Sequence, residues 1–401
     1  MVEKNKKVSA RTHLAHAGRG IECIGGRPVN PPVVRASTIL FEDVESLLEM
    51  HGRRLEPTFV SYGRNGTETT FSLEQAFARL EGGDGCVAVG SGLAAITVAL
   101  LSQVSSGDHV LVADSVYAPT RKLCDGLLRR FGVETTYYDP CIGAGIADLI
   151  TLNTRVIFLE SPGSLTFEVQ DIPAITEVAR ARGVTTIIDN TWATPLFFQP
   201  LAQGVDISVH AGTKYVVGHS DTMLGLVVAG DDHIETIRQQ AQDIGHGVGP
   251  DDAWLGLRGL RTLAVRLAQH QQNALEVAEW LAERPEVARV LHPALPSHPG
   301  HALWKRDFQG ASGLFAIELQ PVSSDAVAAL LNGLTYFGLG YSWGGYESLA
   351  IPTFPDKLRT AVPWNAAGPL LRLHIGLEDP ADLIADLESG FERLQQRLAA
   401  D

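Results

Sequence analysis

The sequence predicts an α/β protein in which a mostly parallel central sheet carries helices on both faces. Apolar runs of strand length alternate with helical patterns, and this order calls for right-handed parallel crossovers. Residues 187–189 end such a run with a carboxylate, and residues 205–210 lead into a small-residue turn with one lysine. Because parallel sheets carry their chemistry at the carboxyl ends of the strands, we expect a site where these runs end.

Length and composition are those of an ordinary globular protein. The 401 residues are enough for two or three domains, and 45% are hydrophobic and 19% charged. A net charge of −14 repels nucleic acid and anionic membranes, so we expect neither as a partner. Residues 1–7 do not resemble a signal peptide, no apolar run has membrane-spanning length, and the four cysteines show no paired spacing. These features favour a cytoplasmic protein with reduced thiols.

The chain divides into three predicted parts. Residues 1–60 are rich in turns and predict an N-terminal arm that packs on another surface, such as a neighbouring subunit. Residues 61–255 predict the large domain, and residues 256–401 predict a smaller α+β C-terminal domain. Helices are predicted near 70–80, 119–131, 173–182, 261–283 and 380–398, and an apolar helical run that opens within 90–95 extends to 101. Strands are predicted at 87–89, 110–113, 156–160, 187–189, 205–210, 313–319 and 371–375, with an antiparallel strand at 223–230.

Asp189 and Lys214 form the leading candidate site. An aspartate can hold a pyridine nitrogen protonated, and a lysine can form a Schiff base with an aldehyde. Together they describe a site for pyridoxal 5'-phosphate (PLP). The turn Gly90-Ser91-Gly92 follows a strand and opens a helix, so it is either an anion cradle or a tight structural turn.

Three further residues have both a functional and a structural interpretation. Arg64, beside a loop glycine, suits phosphate binding, although a solvated loop arginine has the same pattern. Tyr117 at a strand end can stack on a flat ring or belong to the rim of the core. Arg372 lies inside an apolar strand and needs a counter-anion, either a substrate α-carboxylate or an internal acid.

These signals, in this order, resemble the cysteine/methionine-metabolism family of fold-type-I PLP-dependent enzymes from Thr12 to Arg397. The stretches 341–348 and 372–378 resemble its β-lyase branch rather than its γ-lyases or synthases. The most specific stretches are Glu160-Ser161-Pro162-Gly163-Ser164, Ile188-Asp189-Asn190-Thr191-Trp192, Thr213-Lys214-Tyr215 with Gly218-His219-Ser220-Asp221, Tyr341-Ser342-Trp343-Gly344-Gly345-Tyr346-Glu347-Ser348, and Arg372-Leu373-His374-Ile375-Gly376-Leu377-Glu378.

The resemblance implies a fold-type-I transferase-like fold and a role for each matching residue. Lys214 would bind the cofactor covalently and act as the base, and Asp189 would pair with the pyridinium nitrogen. Arg372, helped by Ser342, would bind the substrate α-carboxylate, and Trp343 would wall the pocket. Tyr117 would stack on the ring and, with Lys214 and Tyr62, complete the catalytic set. The phosphate would be held by Gly92, Leu93, Thr213 and, from the neighbouring subunit, Tyr62 and Arg64.

The implied reaction is an α,β-elimination that breaks a Cβ–S bond. With L-cystathionine it would give L-homocysteine, pyruvate and ammonia. A dimer would be the minimum active unit, and members of the family usually form tetramers. Three alternatives remain: a β-lyase or desulfhydrase for cysteine, cystine or other S-conjugates, a γ-lyase or synthase, and a PLP-binding protein without turnover.

The sequence departs from the family pattern where the far amino-acid end of cystathionine is expected. Asn65 stands where relatives often have a second arginine, and Arg121 and Lys122 stand where they often have acidic residues. These changes leave the preferred leaving thiol open.

Two other classes of site are not predicted. The histidines of the Pro-rich loop, which we expect at the surface, lack a carboxylate or thiol at metal-ligand spacing; they are His292, His298 and His301. No G-x-S-x-G elbow of a serine hydrolase is present.

Overall fold

The computed structural model describes residues 8–18 and 28–400, and the strands in these ranges form two sheets. A seven-stranded sheet contains β1 to β7, and a four-stranded sheet contains β8 to β11. The strands are β1 (Gly85–Val89), β2 (His109–Ala113), β3 (Glu134–Tyr138), β4 (Thr154–Glu160), β5 (Thr185–Asp189), β6 (Ile207–His210), β7 (Gly225–Ala229), β8 (Val287–Leu291), β9 (Leu314–Leu319), β10 (Leu349–Thr353) and β11 (Leu370–His374).

Helices surround both sheets in the described part of the chain. A π-helical turn, Cys124–Leu128, continues the fifth α-helix, and short 3-10 turns connect other elements. The α-helices are α1 (Ala10–His16), α2 (Val44–Arg53), α3 (Glu68–Glu81), α4 (Gly92–Leu101), α5 (Ala118–Leu123), α6 (Ile172–Arg182), α7 (Thr194–Phe197), α8 (Asp231–Asp243), α9 (Pro250–Ala282), α10 (His301–Asp307), α11 (Ser324–Asn332) and α12 (Pro380–Ala400).

The large sheet has the predicted, mostly parallel arrangement. Its strand order is β1-β7-β6-β5-β4-β2-β3, and only β7 runs antiparallel to its neighbours. The carboxyl ends of the other six strands therefore lie at one edge of the sheet. In the register of β4 and β5, Glu160 is opposite Asp189, so two carboxyl groups meet at that edge.

Both faces of the large sheet are covered, which explains its continuous apolar strands. Val112 and Phe158 belong to a core cluster shared with α4 and α8. Leu111 and Ile157, which point the opposite way, belong to a second cluster shared with α6. Side chains alternate between the faces along each strand, so each strand contributes to two cores.

The long helix α9 packs against both sheets. Leu257 and Leu263 in its first half belong to the cluster that includes α3 and β7. Val277 and Leu281 in its second half pack with the small sheet, α11 and α12. That sheet is antiparallel, in the order β10-β11-β9-β8. The predicted domain limit at residue 255 falls within α9, and the three-part division stays a prediction.

Several elements differ from the sequence predictions. Helix α9 begins eleven residues earlier than the predicted start at 261, because Pro250 occupies its first turn and two aspartates favour the helix N-terminus. The sequence analysis missed the strands β3, β8 and β10 and the helices α1, α2, α7, α8, α10 and α11.

Three further observations concern the cysteines, the histidines and the helices. Within the described residues Cys86, Cys124 and Cys141 are free thiols, while Cys23 lies outside those residues. The prediction that the loop histidines lie at the surface is wrong for two of them, since His292 and His298 are 0% and 5% exposed. No described helix is long and apolar enough to cross a membrane.

Candidate active site

A cavity of about 350 Å³ opens at the carboxyl edge of the large sheet. It brings together residues that follow β1, β2, β4, β5 and β6, and it is closed on one side by residues of the small sheet. Its lining comprises Ser91, Gly92, Leu93, Ile96, Tyr117, Glu160, Pro162, Gly163, Ser164, Leu165, Phe167, Asp189, Thr191, Trp192, Ala211, Thr213, Lys214, Met223, Leu314, Trp343 and Arg372. Eight of the predicted site residues are therefore in one place.

Lys214 lies in the turn that follows β6, with its amine inside the cavity. Its Nζ donates a hydrogen bond of 2.6 Å to Ser342 Oγ and lies 5.4 Å from the centre of the Trp343 ring. Burial, followed by the nearby positive charge of Arg372, lowers the pKa of Lys214 to about 8, against the opposing effect of Asp189. A substantial fraction of this amine is therefore neutral near physiological pH, as a nucleophile or base requires.

Asp189 ends β5 and reaches the cavity floor. Its Oδ1 accepts hydrogen bonds from the Thr191 N–H at 3.0 Å and the Thr191 hydroxyl at 2.5 Å. Burial raises the pKa of Asp189, while these hydrogen bonds and the charges of His210 and Lys214 act in the opposite direction. A cationic nitrogen above this carboxylate would relieve the cost of burying its charge.

Glu160 ends β4 and forms the second carboxyl group of the floor. Its Oε2 accepts a hydrogen bond of 2.7 Å from the Tyr117 N–H. Burial raises the pKa of Glu160 well above its ordinary value, and the neighbouring Asp189 raises it further. Two adjacent buried carboxyl groups do not both ionise readily, and the larger rise in pKa falls on Glu160 rather than on Asp189.

Helix α4 begins at the cavity and points its free N–H groups into it. Ser91 caps the helix by accepting a hydrogen bond from Ala94 N–H at 3.1 Å, and Gly92 and Leu93 are the first two helical residues. A Cβ atom on Gly92 would lie 2.5 Å from the Cβ of Ala211, so only glycine allows this close packing. The Thr213 hydroxyl, which also lines the cavity, donates a hydrogen bond of 3.1 Å to the Leu224 carbonyl and accepts one of 2.9 Å from the Leu224 N–H. The arrangement fits a bound phosphate.

Arg372 points from β11 towards the same cavity. Its Nη2 donates to the Ser342 carbonyl at 3.0 Å, and no carboxylate of the described residues forms an ion pair with it. Burial lowers the pKa of Arg372 to about 10. Of the two interpretations of this residue, an internal acid partner is not found, and its remaining N–H donors suit an external carboxylate.

Ser342 connects the two cations. Its hydroxyl accepts from Lys214 while its carbonyl accepts from Arg372. Its φ of +82° lies in the left-handed region, which non-glycine residues adopt only when their surroundings require it. The next residue, Trp343, is half-buried and packs 5.5 Å from the Tyr215 ring. Tyr117 lies on the opposite rim with 43% of its surface exposed.

Tyr62 and Arg64 are outside this cavity in their own chain. Tyr62 is 48% exposed, and Arg64 Nη1 donates to the Gln242 carbonyl at 2.9 Å. Asn65 Nδ2 donates to Ser61 Oγ at 3.0 Å. Lys122 is exposed.

The expectation that Arg121 meets a substrate is wrong. Its guanidinium is buried, lies 2.5 Å from Asp114 Oδ1 and stacks on the Tyr137 ring at 3.5 Å.

Two residues near the cavity were missed from the sequence. Asp114 accepts hydrogen bonds from three consecutive N–H groups of residues 360–362, and thereby ties the C-terminal region to the segment before Tyr117. His374 contacts the loop that contains Ser342. Neither contact could be predicted from neighbouring residues in the sequence, because the partners are distant along the chain or belong to an irregular loop.

Comparison with known proteins decides the family. Residues 11–392 match the family of Cys/Met metabolism PLP-dependent enzymes. The chain belongs to this family. A Rhizobium johnstonii protein is 53% identical to this Cys/Met metabolism enzyme over 384 residues, covering 95% of each chain. The cystathionine beta-lyase MetC of Escherichia coli K12 is 46% identical over 391 residues, covering 96% of this chain and 98% of that one.

One solved structure has the same fold as this chain. Cystathionine gamma synthase from Xanthomonas oryzae pv. oryzae, in complex with aminoacrylate and cysteine, superimposes with a TM-score of 0.88. It is 32% identical and covers 98% of this chain and 100% of its own.

PLP is the cofactor of this Cys/Met metabolism enzyme, and the cavity fits it. An amine of lowered pKa, a carboxylate that forms no ion pair with a cation of the described residues, and a helix N-terminus surround a single cavity. These groups are complementary to an aldehyde, a pyridine nitrogen and a phosphate. Within the described residues no cluster of three or more His, Cys, Asp or Glu side chains could hold a metal ion.

Proposed function

We propose that this chain is a carbon–sulfur β-lyase that cleaves L-cystathionine to L-homocysteine, pyruvate and ammonia. The observation that carries the proposal is that Lys214, Asp189 and Arg372 face one cavity. The similarity to a cystathionine beta-lyase along nearly the whole chain supports this substrate. Bound PLP would supply an electron sink for negative charge that develops at the substrate Cα.

Each residue then has a defined task. Asp189 would keep the ring nitrogen protonated, while Gly92, Leu93 and Thr213 would hold the phosphate. Lys214 would bind the cofactor and, when displaced by the substrate amine, would remove the Cα proton, which its lowered pKa permits. The Cβ–S bond then breaks, the thiolate leaves, and the remaining three-carbon enamine hydrolyses to pyruvate and ammonia.

The α-carboxylate would bind Arg372 and fix the substrate. One Arg372 donor is already used by the Ser342 carbonyl, and the others face the cavity. A carboxylate that binds here holds Cα near Lys214, because both cations contact Ser342. Trp343 and Tyr117 would close the two sides of the ring site and exclude water.

A direct test measures pyruvate release from cystathionine by the wild-type protein and by Lys214→Ala. We expect the variant to lose the visible absorbance of lysine-bound cofactor and nearly all turnover, whereas the exposed Lys305→Ala control, away from the cavity, keeps both. Wild-type release of 2-oxobutanoate instead would indicate a γ-lyase. Bound cofactor without turnover would indicate a binding protein. Pyruvate release by Lys214→Ala at the wild-type rate would overturn the assignment.

The leaving thiol is a separate question. Much of the described cavity wall is apolar, including Leu93, Leu165 and Met223, and Asn65 contributes no positive charge. This favours tests with cystine, cysteine and other S-conjugates beside cystathionine. If kcat/KM for cystathionine were the lowest of the set, the second function, a lyase for cystine, cysteine or other S-conjugates, would replace the first.

We also propose a homotetramer built from dimers, in the cytoplasm, with Tyr62 and Arg64 completing the phosphate site of a second copy. In support, the arm presents apolar side chains to the exterior, among them Leu40 at 91% and Leu48 at 62% exposure. Mixing the inactive variants Lys214→Ala and Arg64→Ala would test this. Random exchange of subunits that share sites restores about a quarter of wild-type activity, whereas sites confined to one chain restore none.

A further inference from the structure

His374 lies behind the cavity, between the loop that contains Ser342 and the turn that contains Lys214. It is the last residue of β11, two positions after Arg372, and only 1% of its surface is exposed. Its Nε2 is 2.8 Å from the Gly344 N, and its Nδ1 is 3.1 Å from the Glu347 carbonyl oxygen. One imidazole therefore contacts the loop at two points, three residues apart.

These two contacts fix the protonation of the ring. A backbone N–H can only donate, so Nε2 must be the unprotonated acceptor. A carbonyl oxygen can only accept, so Nδ1 must carry the proton. The neutral Nδ1–H form satisfies both contacts, and an imidazolium would point a second N–H at the Gly344 N–H.

The surrounding groups favour the neutral form. Burial lowers the pKa of His374 well below its ordinary value, and His270 of α9, Arg372 of β11 and Lys214 lower it further, against the contact with Glu347. The His270 and Tyr215 rings lie 5.3 Å and 6.0 Å from the His374 ring and exclude water from it.

The hydrogen bond to Gly344 has a consequence for the lysine. A Cβ at Gly344 would lie 2.9 Å from the Lys214 carbonyl carbon, so the loop backbone rests directly on the lysine backbone. The two residues before Gly344 are Trp343 and Ser342, which contact the lysine side chain. A shift of the Gly344 peptide would therefore move the wall and the carboxylate site together.

We propose that His374 is a positioning residue that holds the 342–344 loop against Lys214, so that Ser342, Trp343 and Arg372 are in place before the substrate carboxylate arrives. Its Nε2 is the decisive atom. The inference rests on the proposed function, because it assigns the carboxylate to Arg372. It adds a residue that touches neither cofactor nor substrate but determines how tightly the substrate is bound.

Two polar variants of His374 distinguish the loss of the Nε2 acceptor from a general change in packing. Glutamine places an amide oxygen close to the position of Nε2, whereas the shorter asparagine reaches only the position of Nδ1. We expect His374→Asn to raise KM for cystathionine by about tenfold or more, since it leaves the buried Gly344 N–H unsatisfied. We expect His374→Gln to keep KM within about threefold of wild type, as rescue of a single hydrogen bond requires.

A control variant and a direct readout complete the test. His292→Asn alters another buried histidine that accepts a backbone N–H, that of Ala294 at 3.2 Å, but does not line the cavity, so KM should stay unchanged. Amide hydrogen exchange of wild type should show Gly344 protected, although the adjoining Tyr341 is 90% exposed. In His374→Asn this protection should be lost.

Three results would overturn the inference. They are equal KM values for the asparagine and glutamine variants, unchanged exchange at Gly344 in His374→Asn, and fast exchange at Gly344 in wild type. The last measurement requires no variant to fold. If wild type released no pyruvate from any thioether, the proposed function would fail by itself, while the exchange experiment would still decide whether His374 holds the loop.

Discussion

Replacement of Arg372 by leucine is expected to lower activity and raise stability at the same time. The half-buried guanidinium has no carboxylate partner within the described chain, and burial lowers its pKa to about 10. At about 1.36 kcal/mol for each pKa unit, the displacement from the ordinary arginine value amounts to about 3 kcal/mol against the charged form. Partial solvent contact reduces this cost to about 1–2 kcal/mol. A lowered pKa of a cation means that the folded state disfavours its proton, so this cost is present at all pH values below that pKa.

A bound carboxylate would recover that cost and add charge-assisted hydrogen bonds. At about 1.5–3 kcal/mol for each such bond, loss of Arg372 should lower kcat/KM for cystathionine by about a hundredfold. Arg372→Lys should be intermediate, because an ammonium group cannot bind both carboxylate oxygens in the same way. The exposed Arg129→Leu is the matched control and should change neither property.

The assay combines steady-state pyruvate release with thermal unfolding, measured without substrate. We expect Arg372→Leu to show a much higher KM together with a higher unfolding midpoint than wild type. The reasoning is refuted if kcat/KM stays within about threefold of wild type, or if the variant unfolds at a lower temperature. In the second case the guanidinium would be a stabilising structural group rather than one held ready for a ligand.

Three further predictions concern other parts of the site. The neutral amine of Lys214 is the nucleophile, so the rate of PLP uptake by cofactor-free protein, followed by visible absorbance, should rise as the pH passes through about 8 and then level off; a rate still rising at about pH 10 would contradict the lowered pKa. Asp114→Asn should destabilise the fold by about 3 kcal/mol in denaturant unfolding, because the buried side chain loses the negative charge that pairs with an arginine and accepts from three N–H donors. The control Asp325→Asn, at a surface ion pair, should cost less than about 1 kcal/mol. Gly344→Ala should lower kcat strongly, since its Cβ would meet the lysine backbone, while Gly245→Ala, at a similar φ of +75° in open space, should leave kcat unchanged; equal kcat in the two variants would contradict this contact.

The sequence predicts the parts of this molecule whose signal is local. Asp189 and Lys214 follow apolar runs, and buried parallel strands are apolar throughout, so both the sheet and its functional edge could be predicted. The strand Glu134–Tyr138 was missed because it is an edge strand with alternating exposure and no continuous apolar run. Helix Asp231–Asp243 was missed because its mean composition is polar and only two of its residues are buried.

Tertiary contacts explain the remaining errors. Arg121 has the same sequence context whether it faces a substrate or Asp114, and only the folded chain shows the buried pair. His292 lies among prolines, a pattern typical of surface loops, but the loop packs its ring against Phe315 at 5.3 Å. His374 is one of two polar residues in an otherwise apolar strand, the other being Arg372, and its contacts are with a loop thirty residues away.

The reversed strand β7 has a consequence for how the lysine segment can vary. Because β7 runs opposite to β6, residues 211–224 leave the sheet and return to it at the same edge. A parallel neighbour would have required a crossover to the far side, with a helix in between. The lysine turn is instead a short excursion over the catalytic rim, anchored at both ends by hydrogen-bonded strands. Tyr215, Val216 and Val217 of this turn are buried in the core cluster shared with α9, so a change in its length or in these side chains would disturb the layer beneath as well as the position of the lysine.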